Sequence, residues 1–475
     1  MLLIVEKFLE CYHIGMIAFK KYAVVGAILF FGVTLLSSAY SLPADFGTQI
    51  FKKEKTFIGY TLLFSVGGKP YGEDRSRVSL IDMAGKEVHR WTMGEGIHVT
   101  GGKLLPDGTL FMYGRKNGLD PGVAGSIIQE LAWDGSVLWE YTGEEWHHEV
   151  DRLPNGNIVG LKYVPMRKSE WAKLKGGIEG TEFYSLKGVR NGDSEGVIYS
   201  DAVIEIDRIT KKPIWEWQPE DSLNVADYPL EPLEKRKEWT HANSLRYLPS
   251  GNPLTGGEGY LVSFRQISLV VAVEKATKKV RWEFGPGETN KQHDATLLPN
   301  GNVLIFNNGM HRPGTDPLFG FPASSVIEVD PATKQTVWFY KGIGFGGIEF
   351  LSPLWGGAQR LSNGNTLITE GVTGRVFEVD SATSTSEDGK TGIDPHIVWE
   401  YVSPYVGSLP QGRTLSKATR YSRDEIQWPA NLPLPEGETT KMNEALKKFN
   451  PNSFLVVSIA LNLVLIFTLF REKRG

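Results

Sequence analysis

Residues 202–217, AVIEIDRITKKPIWEW, and residues 325–340, SVIEVDPATKQTVWFY, are two copies of one pattern. Each copy has an apolar strand, a polar turn and a second strand that ends in aromatic residues. Alternation of apolar and polar residues is typical of half-buried β-strands. The aromatic strand recurs along the chain, with its tryptophan at Trp91, Trp139, Trp215, Trp282, Trp338 and Trp399. The chain therefore repeats one β-unit six times.

A second pattern, a Gly-containing turn between two apolar strands, follows five of the six tryptophans. It reads LLPDGTL at 104–110, LPNGNIV at 153–159, YLPSGNPL at 247–254, LLPNGNVL at 297–304 and RLSNGNTL at 360–367. Repeated β-units of this kind indicate a β-propeller, in which each blade is a four-stranded sheet and the ring must close to bury both faces of every blade. We predict an all-β fold, a six-bladed β-propeller. Splitting the insert at 164–200, which we interpret as a surface excursion, would give seven blades.

Both ends of the chain carry an uncharged apolar run. Lys20 and Lys21 precede the first run, and REKRG at 471–475 follows the second. Runs of about 20 apolar residues are long enough to cross a bilayer, and the flanking basic residues predict that both termini are cytoplasmic. We therefore predict a transmembrane helix at each end and a periplasmic or extracellular body. Cleavage of the first run as a signal peptide is the alternative.

These features divide the chain into five predicted segments. They are a cytoplasmic segment at 1–21, a transmembrane anchor or signal sequence at 22–40, the propeller at 56–425, a linker at 426–452 and a C-terminal transmembrane helix at 453–470. The net charge of -4 on 475 residues gives no electrostatic footprint for nucleic acid. The single cysteine, Cys11, lies outside the repeats, which excludes a thiol nucleophile and a cysteine-based zinc site in the propeller.

Polar side chains recur at fixed distances before the turns. His148, Asn243 and His293 each lie six residues before the proline of their turn, and His98 and His241 lie eight residues before theirs. Because these positions begin the strand nearest the propeller axis, we expect the side chains to converge at one end of the ring. A single histidine there is usually structural, but several convergent imidazoles indicate a function.

Two other residues extend this candidate site. Arg265 ends the apolar strand GYLVSF that follows His241, and a planar guanidinium suits a tetrahedral oxyanion such as sulfate or phosphate. An ion pair with a structural carboxylate is the alternative. Trp355 stands, with two glycines after it, where other units have their polar residue. We expect this unit to form an open wall against which a flat substrate lies.

Three phrases now identify a family resemblance. WTHANSLRYLPSGN at 239–252, LVSFR at 261–265 and KQHDATLLPNGNVLIFNNG at 291–309, in this order on a repeated propeller, resemble the bacterial aryl-sulfate sulfotransferase family. The resemblance extends over about residues 57–425, including KATRYS near the end. It implies a six-bladed, usually periplasmic propeller that moves a sulfuryl group from a phenolic sulfate ester to a phenol, without a nucleotide donor and without a cofactor. This chain departs from better-known members in three ways. It has no evident extra N-terminal β-domain, no disulfide, and a second predicted membrane span.

The resemblance also implies roles for the candidate residues. His293 would become sulfated, and His241, Asn243, Arg265 and His148 would complete the site. The guanidinium and the amide would hold the sulfuryl oxygens, while an imidazolium of one of the two other histidines would protonate the leaving phenolate and later deprotonate the acceptor.

Two carboxylates lie next to the candidate histidines in sequence, Glu149 beside His148 and Asp294 beside His293. We interpret them as groups that fix the histidine tautomers, with capping of a turn as the alternative.

Three other functions remain alternatives. Three imidazoles, those of His148, His241 and His293, suit catalytic zinc, although Arg265 would repel a cation. A quinone-dependent dehydrogenase shares the turn before tryptophan but uses vicinal cysteines, which this chain lacks. The third alternative is a non-catalytic, membrane-tethered propeller that serves as a scaffold in an envelope complex.

Overall fold

The computed structural model describes residues 46–66, 76–116, 125–143, 146–181, 197–310, 323–342, 350–380, 396–405, 414–433 and 435. Within these ranges no helix is long and apolar enough to cross a membrane. The predicted spans at 22–40 and 453–470 lie outside the described residues.

All but two of the described strands form six antiparallel blades around one axis. After β1 (Gly47–Phe51), the first blade contains β2 (Tyr60–Val66), β3 (Ser76–Ile81) and β4 (Glu87–Trp91), and the second contains β5 (Ile97–Leu104), β6 (Leu110–Lys116), β7 (Gly125–Leu131) and β8 (Val137–Gly143). The third begins with β9 (Trp146–Arg152) and β10 (Ile158–Pro165); α1 (Lys168–Trp171) and β11 (Gly176–Ile178) intervene before β12 (Tyr199–Ile206) and β13 (Pro213–Trp217).

The remaining three blades follow β14 (Leu230–Lys235). They comprise β15 (Ala242–Leu248), β16 (Gly259–Phe264), β17 (Leu269–Glu274) and β18 (Val280–Phe284); β19 (His293–Leu297), β20 (Val303–Asn307), β21 (Ser325–Asp330) and β22 (Gln335–Lys341); and β23 (Gly357–Arg360), β24 (Thr366–Glu370), β25 (Arg375–Val379) and β26 (Ile397–Val402). The prediction of a six-bladed, all-β propeller is confirmed.

The ring is closed by a strand from the end of the described chain. This strand, β27 (Leu415–Tyr421), pairs with β2 and becomes the innermost strand of the first blade. The first repeat lacks the Gly-containing turn because its inner strand comes from this distant segment and not from a local hairpin. β1, which precedes the predicted propeller boundary at 56, adds a fifth strand to the sixth blade by pairing with β26.

The repeated tryptophans join each blade to the next. The indole N–H groups of Trp91, Trp139, Trp215, Trp282 and Trp399 donate to the backbone carbonyls of Ala132, Arg208, Lys275, Pro331 and Met83, all in the following blade. Trp338 makes its inter-blade contact differently, with the Arg360 guanidinium 4.5 Å from its ring centroid. The repeated tryptophans therefore attach each blade to the next one.

Apolar side chains fill the spaces between neighbouring blades. Six buried clusters are present among the described residues, one for each pair of adjacent blades. Val203 of the third blade, for example, belongs to the same cluster as Val262 of the fourth. Burial of one such side chain contributes about 1.5–3 kcal/mol, and each blade obtains it only from its neighbours. Closure of the ring therefore completes the core.

The Gly-containing turns all use the same backbone conformation. Gly108, Gly156, Gly251, Gly301 and Gly364 have φ between 82° and 91°. This left-handed region is accessible to glycine at little cost, which explains why the sequence repeats glycine at each turn. The turns connect the inner strand of a blade to the second strand and so fix where each inner strand ends.

The insert in the third blade is only partly a surface excursion. Met166 and Leu174 are buried in the cluster between the third and fourth blades, and β11 pairs in parallel with β14. Residues 182–196 of the insert lie outside the described residues.

Candidate active site

Irregularities at the start of the inner strands create the candidate site. The register shifts between Val99 and Gly101 in β5, His147 and Val150 in β9, Ala242 and Ser244 in β15, His293 and Thr296 in β19, and Leu415 and Ala418 in β27. Such β-bulges re-aim side chains and are frequent beside active sites. In five of the six blades, therefore, the strand nearest the axis turns a bulged side chain toward the centre.

A cavity of about 280 Å³ lies where these bulges meet. His148, Asn243, His293 and Trp355 line it, as the sequence predicts for convergent positions. His98 is not among the lining residues, although Thr100 of the same strand is. The volume is near the lower end of the range for small-molecule sites.

Three of the predicted residues have left-handed backbones. His148, His241 and Trp355 have φ of 52°, 51° and 54°. Non-glycine residues in this region cost on the order of 1–3 kcal/mol each, and they cluster at functional sites, where the surroundings hold them in place. These residues are thus held in conformations that the local sequence does not favour.

The tautomer of His293 is set by Asn308. The amide Nδ2 of Asn308 donates to the carbonyl oxygens of Ser352, at 2.6 Å, and Trp355, at 2.9 Å. Its Oδ1 therefore faces Nδ1 of His293, 2.7 Å away, and must accept a hydrogen bond from that nitrogen. Nδ1 also lies 3.2 Å from the carbonyl oxygen of Lys291. Because Nδ1 carries the hydrogen, Nε2 of His293 carries the lone pair.

His293 is held neutral by its surroundings. Its side chain is only 7% exposed, and this burial lowers its pKa to about 3, although the hydrogen bond to Asn308 favours the protonated form. The positive charge of Arg265 lowers the pKa further. A neutral imidazole with a free lone pair is the nucleophilic form of histidine.

The neutral state of His293 is expected to make the fold sensitive to acid. The unfolded chain binds a proton on this histidine below about pH 6.5, whereas the folded protein binds it only near pH 3. Stability should therefore fall as the pH falls through this interval. We expect the wild-type Tm to decrease from about pH 7 to about pH 4, and the Tm of His293→Asn to decrease less. Thermal unfolding by circular dichroism measures both.

The control for this experiment is His396→Asn, because the His396 side chain is 30% exposed and lies outside the cavity. The Tm of His396→Asn should decrease with falling pH as much as the Tm of the wild type. Equal pH dependence of Tm in His293→Asn and the wild type would contradict a neutral, buried His293.

His241 lies beside His148 and against a carboxylate. The two ring centroids are 4.7 Å apart, and Nδ1 of His241 contacts Oε2 of Glu238. Burial alone would raise the pKa of Glu238, but the charges of His241 and Lys237 outweigh it and lower that pKa to about 2. His241 does not line the cavity directly. Its Nδ1 faces a carboxylate instead.

His148 is electrostatically different. Burial lowers its pKa well below the ordinary histidine value, and the charges of His241, His147, His293 and Arg115 lower it further. His148 is therefore neutral near neutral pH, with a lone pair on one of its ring nitrogens.

Arg265 is also outside the cavity lining, but its charge acts on His293. Its backbone N–H donates to the His241 carbonyl at 3.0 Å, which ties the two residues together. Its guanidinium donates a long hydrogen bond to Oε1 of Gln266, at 3.5 Å, and its buried Nε has no hydrogen-bond partner among the described residues. Lys291, Gln266 and Arg265 together outweigh burial and lower the pKa of the Glu234 carboxyl. The guanidinium thus acts on a structural carboxylate and still has an unused donor for an anion.

Asn243 is buried on the cavity wall, at 7% exposure. Its Nδ2 donates to the Gln292 carbonyl at 2.7 Å, so one of its two amide hydrogens is used within the protein. Its Oδ1 has no partner among the described residues. The amide therefore has hydrogen-bonding capacity in reserve for a ligand.

The interpretation of Asp294 and Glu149 as tautomer-fixing groups is wrong. Asp294 binds Lys417 at 2.6 Å, Arg246 at 2.5 Å and the backbone N–H of Ala358 at 3.0 Å, while Glu149 binds Arg246. Burial raises the pKa of Asp294, but the two cations outweigh it and lower that pKa. These carboxylates instead join the inner strands across the axis.

The residues that fix the tautomers were missed in the sequence. Asn308, which sets the tautomer of His293, belongs to the quoted NNG at the end of β20, but its position is not part of the histidine repeat. Lys417, the partner of Asp294, begins the phrase KATRYS and is also outside that repeat. The described residues contain no group of three or more His, Cys, Asp or Glu arranged to bind a metal ion.

Solved structures with a similar fold have unrelated sequences. A protein of unknown function from Bacteroides caccae is 12% identical, with 76% of this chain and 98% of that chain covered and a TM-score of 0.39. The periplasmic gluconolactonase of Pseudomonas aeruginosa is 14% identical, with coverage of 77% and 86% and a TM-score of 0.38. A catalytically inactive virginiamycin B lyase from Staphylococcus aureus, solved with quinupristin, is 10% identical, with coverage of 72% and 86% and a TM-score of 0.36. At these scores the similarities carry no argument about activity.

A comparison with curated protein sequences gives no match. A comparison with family models does give a match. Residues 102–387 match the model described as arylsulfotransferase (ASST), and the match contains β9, β15 and β19, the three inner strands that place the histidines and the asparagine at the cavity. Because the matched residues make up more than half of the chain, the protein belongs to the arylsulfotransferase family.

Proposed function

We propose that this protein transfers a sulfuryl group from a phenolic sulfate ester to a phenol by a ping-pong mechanism, through a sulfated His293 and without a nucleotide donor. The observation that supports this most directly is the hydrogen bond from Nδ1 of His293 to Asn308, which leaves the lone pair on Nε2 of a neutral imidazole at the cavity. The family match supports sulfuryl transfer as the reaction class.

In the first half-reaction, Nε2 of His293 attacks the sulfur of the donor, the N–S bond forms, and the S–O bond to the phenolate breaks. Sulfuryl transfer, like phosphoryl transfer, depends mainly on positioning and on stabilisation of charge on the transferred group. Arg265 supplies that charge, and Asn243 supplies hydrogen bonds. In the second half-reaction a phenol attacks the same sulfur and regenerates His293.

The proton of the phenol is carried by the two neighbouring imidazoles. A phenol has a pKa of about 10, so the leaving oxygen needs a proton and the acceptor must lose one. Glu238 lies against Nδ1 of His241, so a proton stored there has a counter-charge, whereas burial lowers the pKa of His148. The sequence alone left open which of His241 and His148 is the imidazolium that protonates the phenolate. The contact with Glu238 favours His241 for this role.

The aromatic ring of the substrate is assigned to the Trp355 side of the cavity. The Trp355 side chain is partly exposed at the lining, and its backbone carbonyl is held by Asn308 at 2.9 Å. The same asparagine thus positions the nucleophile and the wall against which the ring would lie.

Mass spectrometry tests the covalent step. The protein, exposed briefly to 4-nitrophenyl sulfate without an acceptor, should gain one sulfuryl group, and fragmentation should place it on His293. The adduct should disappear when a phenol is added. Turnover of donor and acceptor without any adduct on the protein would contradict the ping-pong mechanism.

Replacement of His241 by Ala is expected to affect poor leaving groups most. Without the stored proton, transfer from phenyl sulfate should fall by about 10²–10³-fold, because its phenolate is a strong base. Transfer from 4-nitrophenyl sulfate should fall much less, because nitrophenolate needs no proton to leave. Steady-state kcat/KM for the two donors measures the ratio. Equal losses for both donors would indicate that His241 only positions other groups.

We propose a membrane-anchored protein with its catalytic domain in the periplasm or outside the cell, as the apolar runs at both ends of the sequence suggest. Protease added to intact spheroplasts is expected to degrade the propeller, detected with antibody against the body of the protein. Protection of the propeller in intact spheroplasts, together with degradation after lysis, would contradict this location.

A further inference from the structure

Behind His148 lies a chain of buried polar groups that the reaction steps above do not use. Nδ1 of His148 is 2.7 Å from Nδ1 of His147, and Nε2 of His147 is 2.8 Å from Oδ1 of Asp201. The side chains of His147 and Asp201 are 1% and 2% exposed. The His147 ring is stacked on Tyr163, with centroids 3.7 Å apart and planes at 12°. The three groups are therefore held in successive short contacts.

The orientation of Asp201 determines where each proton lies. Its Oδ2 accepts hydrogen bonds from Thr240 Oγ1 and from the backbone N–H of Ala242, which leaves Oδ1 for His147. The carboxylate can only accept, so Nε2 of His147 must carry a hydrogen.

The neutral tautomer of His147 then has its lone pair on Nδ1. That lone pair lies 2.7 Å from Nδ1 of His148, which must therefore carry the hydrogen of the contact. The other ring nitrogen of His148, Nε2, is left with a lone pair for the cavity.

We infer that Asp201 and His147 are positioning residues that hold His148 in the tautomer whose Nε2 accepts the proton of the phenolic hydroxyl. This inference rests on the proposed function. It assigns His148 as the base in contact with substrate, and His241 with Glu238 as the place where the proton is stored.

Other charged groups around the two histidines favour this arrangement. Burial lowers the pKa of His147 as well as that of His148, while Asp201 and Glu238 act in the opposite direction on His147. Arg115 carries a permanent positive charge near His148, and a proton on any of the neighbouring histidines would further disfavour a proton on His148. Both imidazoles are therefore neutral before the reaction, as a tautomer-setting chain requires.

The step balances without an additional reactant. In the second half-reaction the phenolic O–H bond breaks and its proton goes to Nε2 of His148. The phenolic oxygen forms a bond to sulfur, the N–S bond of His293 breaks, and its electron pair returns to Nε2 of His293. The proton then passes from His148 to the adjacent His241. The first half-reaction follows the same route in reverse, from His241 through His148 to the leaving phenolate.

Asp201→Asn reverses the tautomers with little change in shape. The asparagine oxygen can keep the hydrogen bonds from Thr240 and Ala242, so its NH₂ group must face Nε2 of His147. That nitrogen then becomes the acceptor, Nδ1 of His147 becomes the donor, and the hydrogen of His148 moves to Nε2. His148 would then present a donor to the phenol in place of a lone pair.

The experiment separates the two half-reactions. The burst of nitrophenol released from 4-nitrophenyl sulfate without acceptor reports the first, and sulfuryl transfer to an unsubstituted phenol reports the second. In Asp201→Asn the burst should keep its amplitude and rate, while transfer to phenol should fall by about 100-fold or more. Transfer to a phenol already ionised at neutral pH should be nearly unaffected, and transfer to phenol should rise with pH as the acceptor ionises.

Two substitutions of His147 give an independent comparison. In His147→Asn the amide oxygen takes the approximate place of Nδ1 and can still accept from His148, so transfer to phenol should be largely retained. In His147→Gln the amide reaches the place of Nε2 beside Asp201 and leaves His148 without its acceptor, so transfer should fall as in Asp201→Asn. The two variants lose the same stacking on Tyr163, which makes them controls for each other.

Glu205→Gln is the matched control for loss of a buried carboxylate. Glu205 lies on the same strand as Asp201, is 1% exposed and binds Lys275 and Tyr260, which are not part of the cavity lining. The Glu205→Gln substitution should lower Tm without changing the ratio of the nitrophenol burst to sulfuryl transfer to phenol. An equal loss of burst and transfer in Asp201→Asn, or normal transfer to phenol, would overturn the inference. Absence of a burst and of an adduct in the wild type would instead overturn the proposed function.

Discussion

Replacing His293 by Asn is expected to abolish transfer, with a loss on the order of 10⁴–10⁶-fold, the range seen when a nucleophile is removed from a preorganised site. Asparagine is close in size to histidine and already occurs at the equivalent position as Asn243. Its amide can still donate to Oδ1 of Asn308, so the fold and the cavity should be retained. It has no nitrogen lone pair that could attack sulfur, and no sulfuryl adduct should form.

The measurements are the steady-state rate, the mass after exposure to 4-nitrophenyl sulfate, and Tm. The matched control is His98→Asn, since His98 also lies on an inner strand but does not line the cavity, and this variant should retain most of the activity. A folded His293→Asn protein that turned over donor and acceptor near the normal rate would refute the role of His293 as nucleophile.

Replacing Arg265 by Ala is expected to slow formation of the adduct by about 10²–10³-fold, the usual effect of removing a group that stabilises transition-state charge. Arg265→Lys should lose less, about tenfold, because one charge remains while the planar, two-pronged contact with the sulfuryl oxygens is lost. The burst rate with 4-nitrophenyl sulfate measures both. Free guanidinium in the buffer should partly restore Arg265→Ala, because the variant leaves a space of matching shape.

A change in the ionisation of His293 would not explain such a loss. Arg265 lowers the pKa of His293, but burial contributes most to that shift, so the imidazole should remain neutral at neutral pH without the arginine. An unchanged burst rate in Arg265→Ala, with an adduct still formed on His293, would exclude contact between Arg265 and the sulfuryl group.

The blade pattern could be predicted because its signals are local. Each tryptophan strand and each Gly-containing turn is contained in a few consecutive residues, and the physical requirements behind them, an indole N–H for the next blade and a left-handed turn, recur in every unit. Convergence of His148, Asn243 and His293 followed from the same repetition, because equivalent positions on inner strands must face one axis.

The protonation states could not be predicted in this way. Sequence neighbours suggested Asp294 and Glu149 as partners of the histidines, but bulges turn these carboxylates toward Arg246 and Lys417 instead. Adjacent residues of a regular strand point to opposite faces, and only a bulge can bring such neighbours into contact, as it does for His147 and His148. Sequence adjacency alone therefore does not identify the partner of a histidine.

The sequence by itself determined the number of blades, the family and the convergence of His148, Asn243 and His293 at the cavity, because repetition is a property of the chain. Only the tertiary structure decided how the ring closes and which nitrogen of each histidine is available. Closure joins β27 to β2, and the tautomers depend on Asn308, 15 residues after His293, and on Asp201. These contacts join residues that no local pattern connects, and a hydrogen bond specifies a donor and an acceptor only after the fold has placed both atoms within reach.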